Sequence, residues 1–182
     1  MKSLCIFCGS TNGADGKYRQ STMEISRLLA QKGITLVYGG GSYGLMGTAA
    51  DAAMKHRGKV IGVIPKLLVE KEAAKRNITE LLIVESMQER KKKMMELSDG
   101  FLVLPGGVGT LDELFEVMAF INLGVHKKPC GILNPNGFYD KLIEFVDHAS
   151  NEGFIKSSTR KYLVDDADPE TLIQKMEMLN GR

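Results

Sequence analysis

The chain of 182 residues has no tryptophan, three histidines and three cysteines. Its 24 basic and 22 acidic side chains nearly cancel, so no strongly basic face for nucleic acid is expected. No apolar run approaches the roughly 18 residues that a membrane-spanning helix needs. The composition therefore predicts a protein without a nucleic-acid partner and without membrane insertion.

The cysteine content indicates a reducing compartment. An odd number of cysteines in a chain of this size is not typical of a disulfide framework, so we expect a cytoplasmic protein. Cys5 and Cys8 form a C-x-x-C sequence, but residues three apart in a strand face opposite sides of a sheet. With no second pair of this kind, the sequence predicts no metal site and no cofactor.

Apolar runs alternate with helical stretches along the chain. Runs at 35–38, 60–64 and 101–104 predict buried strands, and amphipathic segments between the runs predict helices. This alternation is typical of a mainly parallel sheet with helices on both faces. We therefore expect an α/β fold, with residues 1–182 forming a single doubly wound, Rossmann-like domain.

Glycine-containing loops follow three of the predicted strands. Ligands of doubly wound sheets bind at the carboxyl ends of the strands, so the loops predict a rim of free backbone N–H groups that suits a phosphate. The alternative is that the glycines only permit tight turns. Because the pattern recurs, we favour phosphate binding. The residues assigned to this rim are Gly9, Ser10, Gly40, Gly41 and Gly44.

Two common nucleotide sites are disfavoured by what surrounds the glycines. Gly39, Gly41 and Gly44 satisfy G-x-G-x-x-G, but a dinucleotide site also needs an acid at the end of the next strand. That strand ends in Val63-Ile64-Pro65 instead. The sequence also lacks G-x-x-x-x-G-K-[ST], which excludes a P-loop nucleotide triphosphatase.

Two charged side chains are candidates for a site. Arg90 falls on the apolar stripe of a helix predicted over 87–97, and a buried guanidinium needs an anionic partner. Thr110 and Glu113 have the spacing of a capping box, which predicts that Thr110 caps a helix over 111–123. A carboxylate there also overlooks the rim, so capping and chemistry both stay open for Glu113.

Together these motifs resemble the LOG ("lonely guy") family of cytokinin riboside 5′-monophosphate phosphoribohydrolases, formerly labelled lysine decarboxylases. The family motifs G-G-G-x-x-G-L-M-G and P-G-G-x-G-T-x-x-E stand here as Gly39–Gly47 and Pro105–Glu113. The family's M-x-x-R-K helix start stands as Met87–Lys91. The likeness extends from Cys8 to about Ser158.

The resemblance implies an enzyme that hydrolyses the N-glycosidic bond of adenosine 5′-monophosphate or an N6-substituted derivative. The products would be the free base and ribose 5-phosphate, with no cofactor required. It implies a catalytic pair, Arg90 and Glu113, and a homodimer with sites near the subunit interface. The substrate contacts that it implies are Glu72, Lys91, Gly106, Gly107, Val108, Gly109, Thr110, Leu111 and Asp112.

In such a reaction we expect Glu113 to stabilise an oxocarbenium-like transition state and to orient the attacking water. Arg90 is expected to keep Glu113 ionised. A plain AMP nucleosidase of purine salvage and a non-catalytic nucleotide sensor or carrier are the alternatives. Plant members have Thr-Trp where this chain has Ala119-Phe120, which leaves the preferred base open. A decarboxylase is disfavoured because no lysine stands in a recognisable context for pyridoxal phosphate.

Overall fold

The structure is a computed structural model that describes residues 1–180. One sheet contains strands β1 (Ser3–Phe7), β2 (Thr35–Tyr38), β3 (Val60–Pro65), β4 (Glu80–Val84), β5 (Phe101–Val103), β6 (Cys130–Leu133) and β7 (Leu163–Asp166). The helices are α1 (Gly16–Gln31), α2 (Gly44–Lys55), α3 (Met87–Glu96), α4 (Val108–Asn122), α5 (Asp140–Asn151), α6 (Ser157–Arg160) and α7 (Pro169–Asn180).

All neighbouring strands run parallel, in the order β4-β3-β2-β1-β5-β6-β7. The chain moves outward from β1 to β4 and then returns to place β5 on the other side of β1. Cys5 of β1 is consequently in register with both Val37 of β2 and Phe101 of β5. The predicted doubly wound parallel sheet is confirmed. Its change of direction between β1 and β5 creates the crevice where such sheets bind ligands.

Successive side chains of the central strands belong alternately to two hydrophobic cores, one on each face of the sheet. Leu4 and Ile6 of β1 pack with α1, α2 and α7, whereas Cys5 and Phe7 pack with α3, α4 and α5. Cys8 belongs to the first core, so Cys5 and Cys8 face opposite sides as the strand period predicts. Within residues 1–180, every helix is too short or too polar to span a lipid bilayer.

The start of α4 differs from the prediction, because the helix begins at Val108 and Gly107 is its N-cap. Thr110 is therefore a buried residue of the first turn and not the cap, and Glu113 lies in the second turn. The capping-box interpretation of Glu113 is wrong. The Thr110 side chain packs so closely on Gly106 that an added Cβ at Gly106 would overlap it.

Two of the rim glycines are explained by backbone geometry. Gly44 has φ +58°, and an added Cβ there would overlap the backbone of Ser10 and Thr11. Leu45 N donates to Gly9 O over 3.1 Å, so the loops after β1 and β2 are in direct contact at this point. Gly40 has φ +78°, which also favours glycine.

Candidate active site

A cavity of about 230 Å³ lies at the carboxyl ends of β1 and β2, beside the start of α4. It brings together most of the residues that the sequence suggested, from four separate stretches of the chain. Those that line it are Gly9, Ser10, Glu72, Arg90, Lys91, Gly107, Val108, Gly109, Thr110, Asp112 and Glu113. Its remaining lining residues are Ile6, Cys8, Gly39, Met46 and Met87.

Five suggested residues stand outside this lining. Gly40 and Gly44 shape the loop after β2, and Gly41 lies against Glu72, whose Oε2 would be 3.2 Å from an added Cβ. Gly106 allows Thr110 to approach, and Leu111 packs against the apolar core on the α4 face. These five residues therefore act through the packing of the loops and of α4 around the cavity.

A larger groove of about 530 Å³ lies elsewhere, between α1 and α2. Its walls are mostly exposed side chains on helix surfaces, including Arg19, Glu24 and Lys55. Of its lining residues, all but His56 belong to α1 or α2, and positive and negative side chains are mixed along it. The smaller cavity at the strand ends therefore has the better chemistry for a specific ligand.

The first turn of α4 presents unpaired backbone N–H groups to the cavity. The amides of Val108, Gly109 and Thr110 precede the first intrahelical donor, Leu111 N, which bonds Gly107 O over 3.1 Å. An added Cβ at Gly107 or Gly109 would meet no atom within 4 Å, so ligand atoms have room to approach the backbone. The N-terminus of a helix with accessible amides is suited to an anion.

Arg90 is buried at the floor of the cavity, with 6% of its surface exposed. Its Nε donates to Val63 O over 3.2 Å and its Nη2 to Gly39 O over 3.1 Å. The predicted inward position is confirmed, and backbone carbonyl groups of β3 and of the residue after β2 hold the guanidinium. An added Cβ at Gly39 would overlap Nη2, so glycine at this position makes room for Arg90. The sequence showed a glycine motif there but not this reason for it.

Glu72 stands opposite Arg90 across the cavity, with its Oε2 3.9 Å from Arg90 Nη2. This buried oxygen has no hydrogen-bond partner within residues 1–180. Burial raises the pKa of Glu72, and the charge of Arg90 opposes the increase. Buried polar atoms rarely lack a partner, so this oxygen is available to accept a hydrogen bond inside the cavity.

Glu113 lies in the cavity wall and reaches solvent only partly, through the cavity itself. Burial raises the pKa of Glu113 to about 7, although Arg90 acts in the opposite direction. Arg90 therefore lowers this pKa as expected but does not outweigh burial, and Glu113 is not fully ionised at neutral pH. No ion pair within 4 Å joins the two side chains in the described part of the chain.

Lys91 lies at the edge of the cavity between two acids of α4. Its Nζ is 2.9 Å from Glu116 Oε2 and 3.1 Å from Asp112 Oδ2. The pKa of Lys91 is raised, first by the hydrogen bond with Glu116 and then by Asp112. Glu116 was not among the suggested residues, and its spacing of four from Asp112 on a helix is the signal that could have indicated it.

The chain matches known proteins over most of its length. Residues 46–176 match the family model described as "Possible lysine decarboxylase". A probable cytokinin riboside 5′-monophosphate phosphoribohydrolase of Oryza sativa subsp. japonica is 46% identical over 176 residues, which are 97% of this chain and 78% of that protein. A cytokinin riboside 5′-monophosphate phosphoribohydrolase of Arabidopsis thaliana is 43% identical over 97% of this chain and 77% of its own length. The chain belongs to the LOG family.

Solved structures of more distant proteins share the fold of this LOG-family chain. The molybdenum cofactor binding protein of Rippkaea orientalis has a TM-score of 0.72 at 19% identity, over 98% of this chain and 97% of that one. DNA processing protein A of Streptococcus pneumoniae has a TM-score of 0.61 at 16% identity, over 97% of this chain and 62% of that one. At these identities the likeness concerns the fold alone.

The electrostatics of the cavity predict how Glu113 titrates. In the free protein we expect a pKa of about 7 for its carboxyl group, followed by ¹³C NMR of glutamate-labelled protein. Arg90→Met should raise this pKa further, because the nearest compensating positive charge is lost. Lys91→Met should raise it less, since Arg90 contributes more than Lys91.

The resonance of Glu113 is assigned by its loss in Glu113→Gln. A midpoint for Glu113 near the ordinary glutamate value would contradict the environment described for this side chain. So would a decrease of the midpoint in Arg90→Met.

Proposed function

We propose that this chain hydrolyses the N-glycosidic bond of adenosine 5′-monophosphate or an N6-substituted derivative, giving the free base and ribose 5-phosphate. The observation that carries this proposal is one cavity that contains both an anion-binding helix start and the carboxyl group of Glu113. A site that only holds a phosphate gains nothing from a carboxylate beside the anion, because like charges repel. The activity in the names of the plant relatives supports the same reaction.

In the proposed complex, the 5′-phosphate accepts hydrogen bonds from the amides of Val108, Gly109 and Thr110. Gly9 and Ser10 line the cavity next to the loop that leads into α4, where Gly9 N bonds Pro105 O, and Lys91 adds positive charge at the edge. These contacts place the ribose towards the interior of the cavity. A ribose hydroxyl there would supply the donor that Glu72 Oε2 lacks.

The catalytic work is assigned to Glu113 and Arg90. As the bond to the base breaks, positive charge develops at C1′ of the ribose, and the carboxylate of Glu113 stabilises it. In its ionised form Glu113 also accepts a proton from the attacking water, whose oxygen bonds to C1′, and a pKa of about 7 makes it a stronger base than an ordinary glutamate. The base leaves with the electron pair of the broken bond and takes up one proton from solvent, and Glu113 returns its proton to solvent. Arg90 keeps its proton throughout, so it supplies a constant positive charge near the ribose and Glu72.

The family description as a possible lysine decarboxylase does not fit the same cavity. Amino-acid decarboxylation through pyridoxal phosphate uses a lysine amine that can lose its proton. Lys91 is the lysine that lines the cavity within residues 1–180, and Glu116 and Asp112 raise its pKa. A lysine held in its charged form is a poor nucleophile, so the cavity lacks the group that this chemistry needs.

We further propose that the chain acts as one domain in the cytoplasm and assembles as a homodimer. The two cores share a single sheet, and three buried free thiols fit a reducing compartment. An apolar patch supports self-association: Phe115 and Phe154 line one shallow cavity at α4, and Phe154 is 87% exposed. Leu123 and Val125, also exposed, extend the apolar surface beyond the end of α4.

Purified protein should release base from AMP and from isopentenyladenosine 5′-monophosphate, but not from the two nucleosides, which lack the phosphate. Base and ribose 5-phosphate are followed by chromatography. Glu113→Gln should lower kcat by about 100-fold or more, the usual contribution of a positioned acid–base group, while AMP still binds. Glu144→Gln, which changes an exposed glutamate paired within residues 1–180 only with Lys141, is the matched control.

Full activity of Glu113→Gln would remove Glu113 from the mechanism. Binding of AMP without release of base from either nucleotide would instead identify a sensor or carrier. The ratio of the two kcat/KM values separates cytokinin release from AMP salvage.

Because of the apolar patch, we expect the protein to be a dimer in solution. Light scattering of the eluted protein should give twice the mass of one chain, and Phe154→Glu should shift the particle towards the monomer. Met178→Glu, at an exposed position of α7, is the matched control and should remain dimeric. A wild-type protein with the mass of one chain would refute the homodimer.

A further inference from the structure

The segment 66–79, which connects β3 to β4, carries Glu72 to the cavity without a regular helix or strand to hold it. It contains the short helical turn Lys66–Leu68 and an i→i+4 hydrogen bond from Glu72 N to Leu68 O over 2.9 Å. Ala73 has φ +44°, a conformation that residues other than glycine rarely adopt. A conformation of this kind persists only where surrounding contacts fix it. The position of the Glu72 carboxylate therefore depends on what anchors this segment on either side of Ala73.

Two backbone hydrogen bonds attach the segment to the loop after β2. Ser42 N donates to Glu72 O over 3.0 Å, and Lys75 N donates to Gly40 O over 2.9 Å. They flank Ala73 and bring the Glu72 side chain over the loop. The side chain of Lys75 makes a third attachment, and this one reaches a different element.

Lys75 extends to α2, where its Nζ lies 2.9 Å from Asp51 Oδ1. Its side chain is 9% exposed, whereas that of Asp51 is 65% exposed, so the lysine is the buried member of the pair. An ion pair with one exposed member contributes little net stability, because water competes with the attraction and the burial of the lysine costs free energy. The pair does fix the direction of the segment relative to α2, because the Lys75 ammonium has to reach Asp51.

We propose that Lys75 is a positioning residue for substrate binding. Its ion pair with Asp51 locks the segment 66–79 against α2 and so holds the Glu72 carboxylate opposite Arg90. Glu72 then faces a ribose hydroxyl in the proposed complex. This inference rests on the proposed function, through the role given there to Glu72.

The test uses AMP binding by calorimetry together with steady-state kinetics. Lys75→Met should weaken AMP binding and raise KM roughly tenfold, as expected when a contact residue is displaced by a fraction of an ångström to one ångström. The change in kcat should be smaller, because Glu72 contacts a hydroxyl that is bound in both ground and transition states. Glu72→Gln should act in the same direction.

A double variant separates positioning from an independent effect. If Lys75 acts through Glu72, adding Lys75→Met to Glu72→Gln should cost almost nothing more, whereas independent effects would multiply. Lys66→Met is the matched control in the same segment, because Lys66 pairs only with the exposed Glu85 in the described residues. Its AMP affinity should equal that of the wild type.

A merely structural role would lower the melting temperature of Lys75→Met and leave AMP affinity and KM unchanged, and that result would overturn the proposal. Multiplicative effects in the double variant would overturn it as well. If Lys75→Met does not fold, Asp51→Asn, at an exposed helix position, removes the same ion pair and should give the same loss of affinity. An unaltered affinity there would refute the proposal.

The calorimetric affinity does not depend on turnover, so failure of the proposed reaction stays distinguishable. A wild type that binds AMP without releasing base contradicts the proposed function, while the Lys75 and Glu72 affinities still decide on positioning. If Glu72→Gln binds AMP as the wild type does, Glu72 is not a contact and Lys75 has no role through it.

Discussion

The buried guanidinium of Arg90 is the charge on which the arrangement of the site depends. A charge out of water is costly unless hydrogen bonds replace its hydration, and here Gly39 O and Val63 O do so. Tyr38 of β2 is in register with Gly62 of β3, so the carbonyl groups of the next residues, Gly39 and Val63, lie on adjacent chains at the same level. Gly39 completes the fit, because any side chain there would displace the guanidinium.

The acids of the cavity take their properties from this fixed charge and from burial. Glu72 approaches Arg90 to 3.9 Å and Glu113 remains more than 4 Å away, and burial raises the pKa of each. Burial raises the pKa of both carboxyl groups, and the fixed cation limits the increase. Such a cavity can use Glu72 as a binding group and Glu113 as a base near neutral pH.

Hydrogen bonds hold the side of the cavity to which we assign the phosphate. Gly9 N donates to Pro105 O over 3.0 Å and joins the loops after β1 and β5 at the change of direction of the sheet. From beneath, Tyr139 Oη donates to Leu104 O over 2.8 Å, just before the loop that leads into α4. These two hydrogen bonds therefore fix the loop that leads to the free amides of α4, which favours precise placement of a phosphate.

Much of this arrangement was predictable from the sequence, and the exceptions have physical causes. The alternation of apolar runs predicted the parallel sheet, and helical spacing predicted that Arg90 faces inward, because both patterns are local. The start of α4 was misplaced because Thr110 and Glu113 have the spacing of a cap, whereas Gly107 fills that position. Capping and cavity lining use the same residue types, and only the packing of Thr110 on Gly106 distinguishes them.

Other features depend on contacts between distant parts of the chain. The glycine motif predicted a phosphate loop, but Gly44 is required for the close approach of the loop after β1. Lys75 pairs with Asp51, which is 24 positions earlier on another element, and no local pattern indicates such a partner. The raised pKa of Glu113 likewise comes from surroundings that fold around it.

The most direct test of the central claim is a crystal structure of the Glu113→Gln variant with AMP bound, since this variant should retain the nucleotide. The phosphate should lie within hydrogen-bond distance of the amides of Val108, Gly109 and Thr110. C1′ of the ribose should lie beside the side chain of residue 113, and a ribose hydroxyl should contact Glu72. A phosphate bound away from α4, or a ribose remote from residue 113, would contradict the central claim.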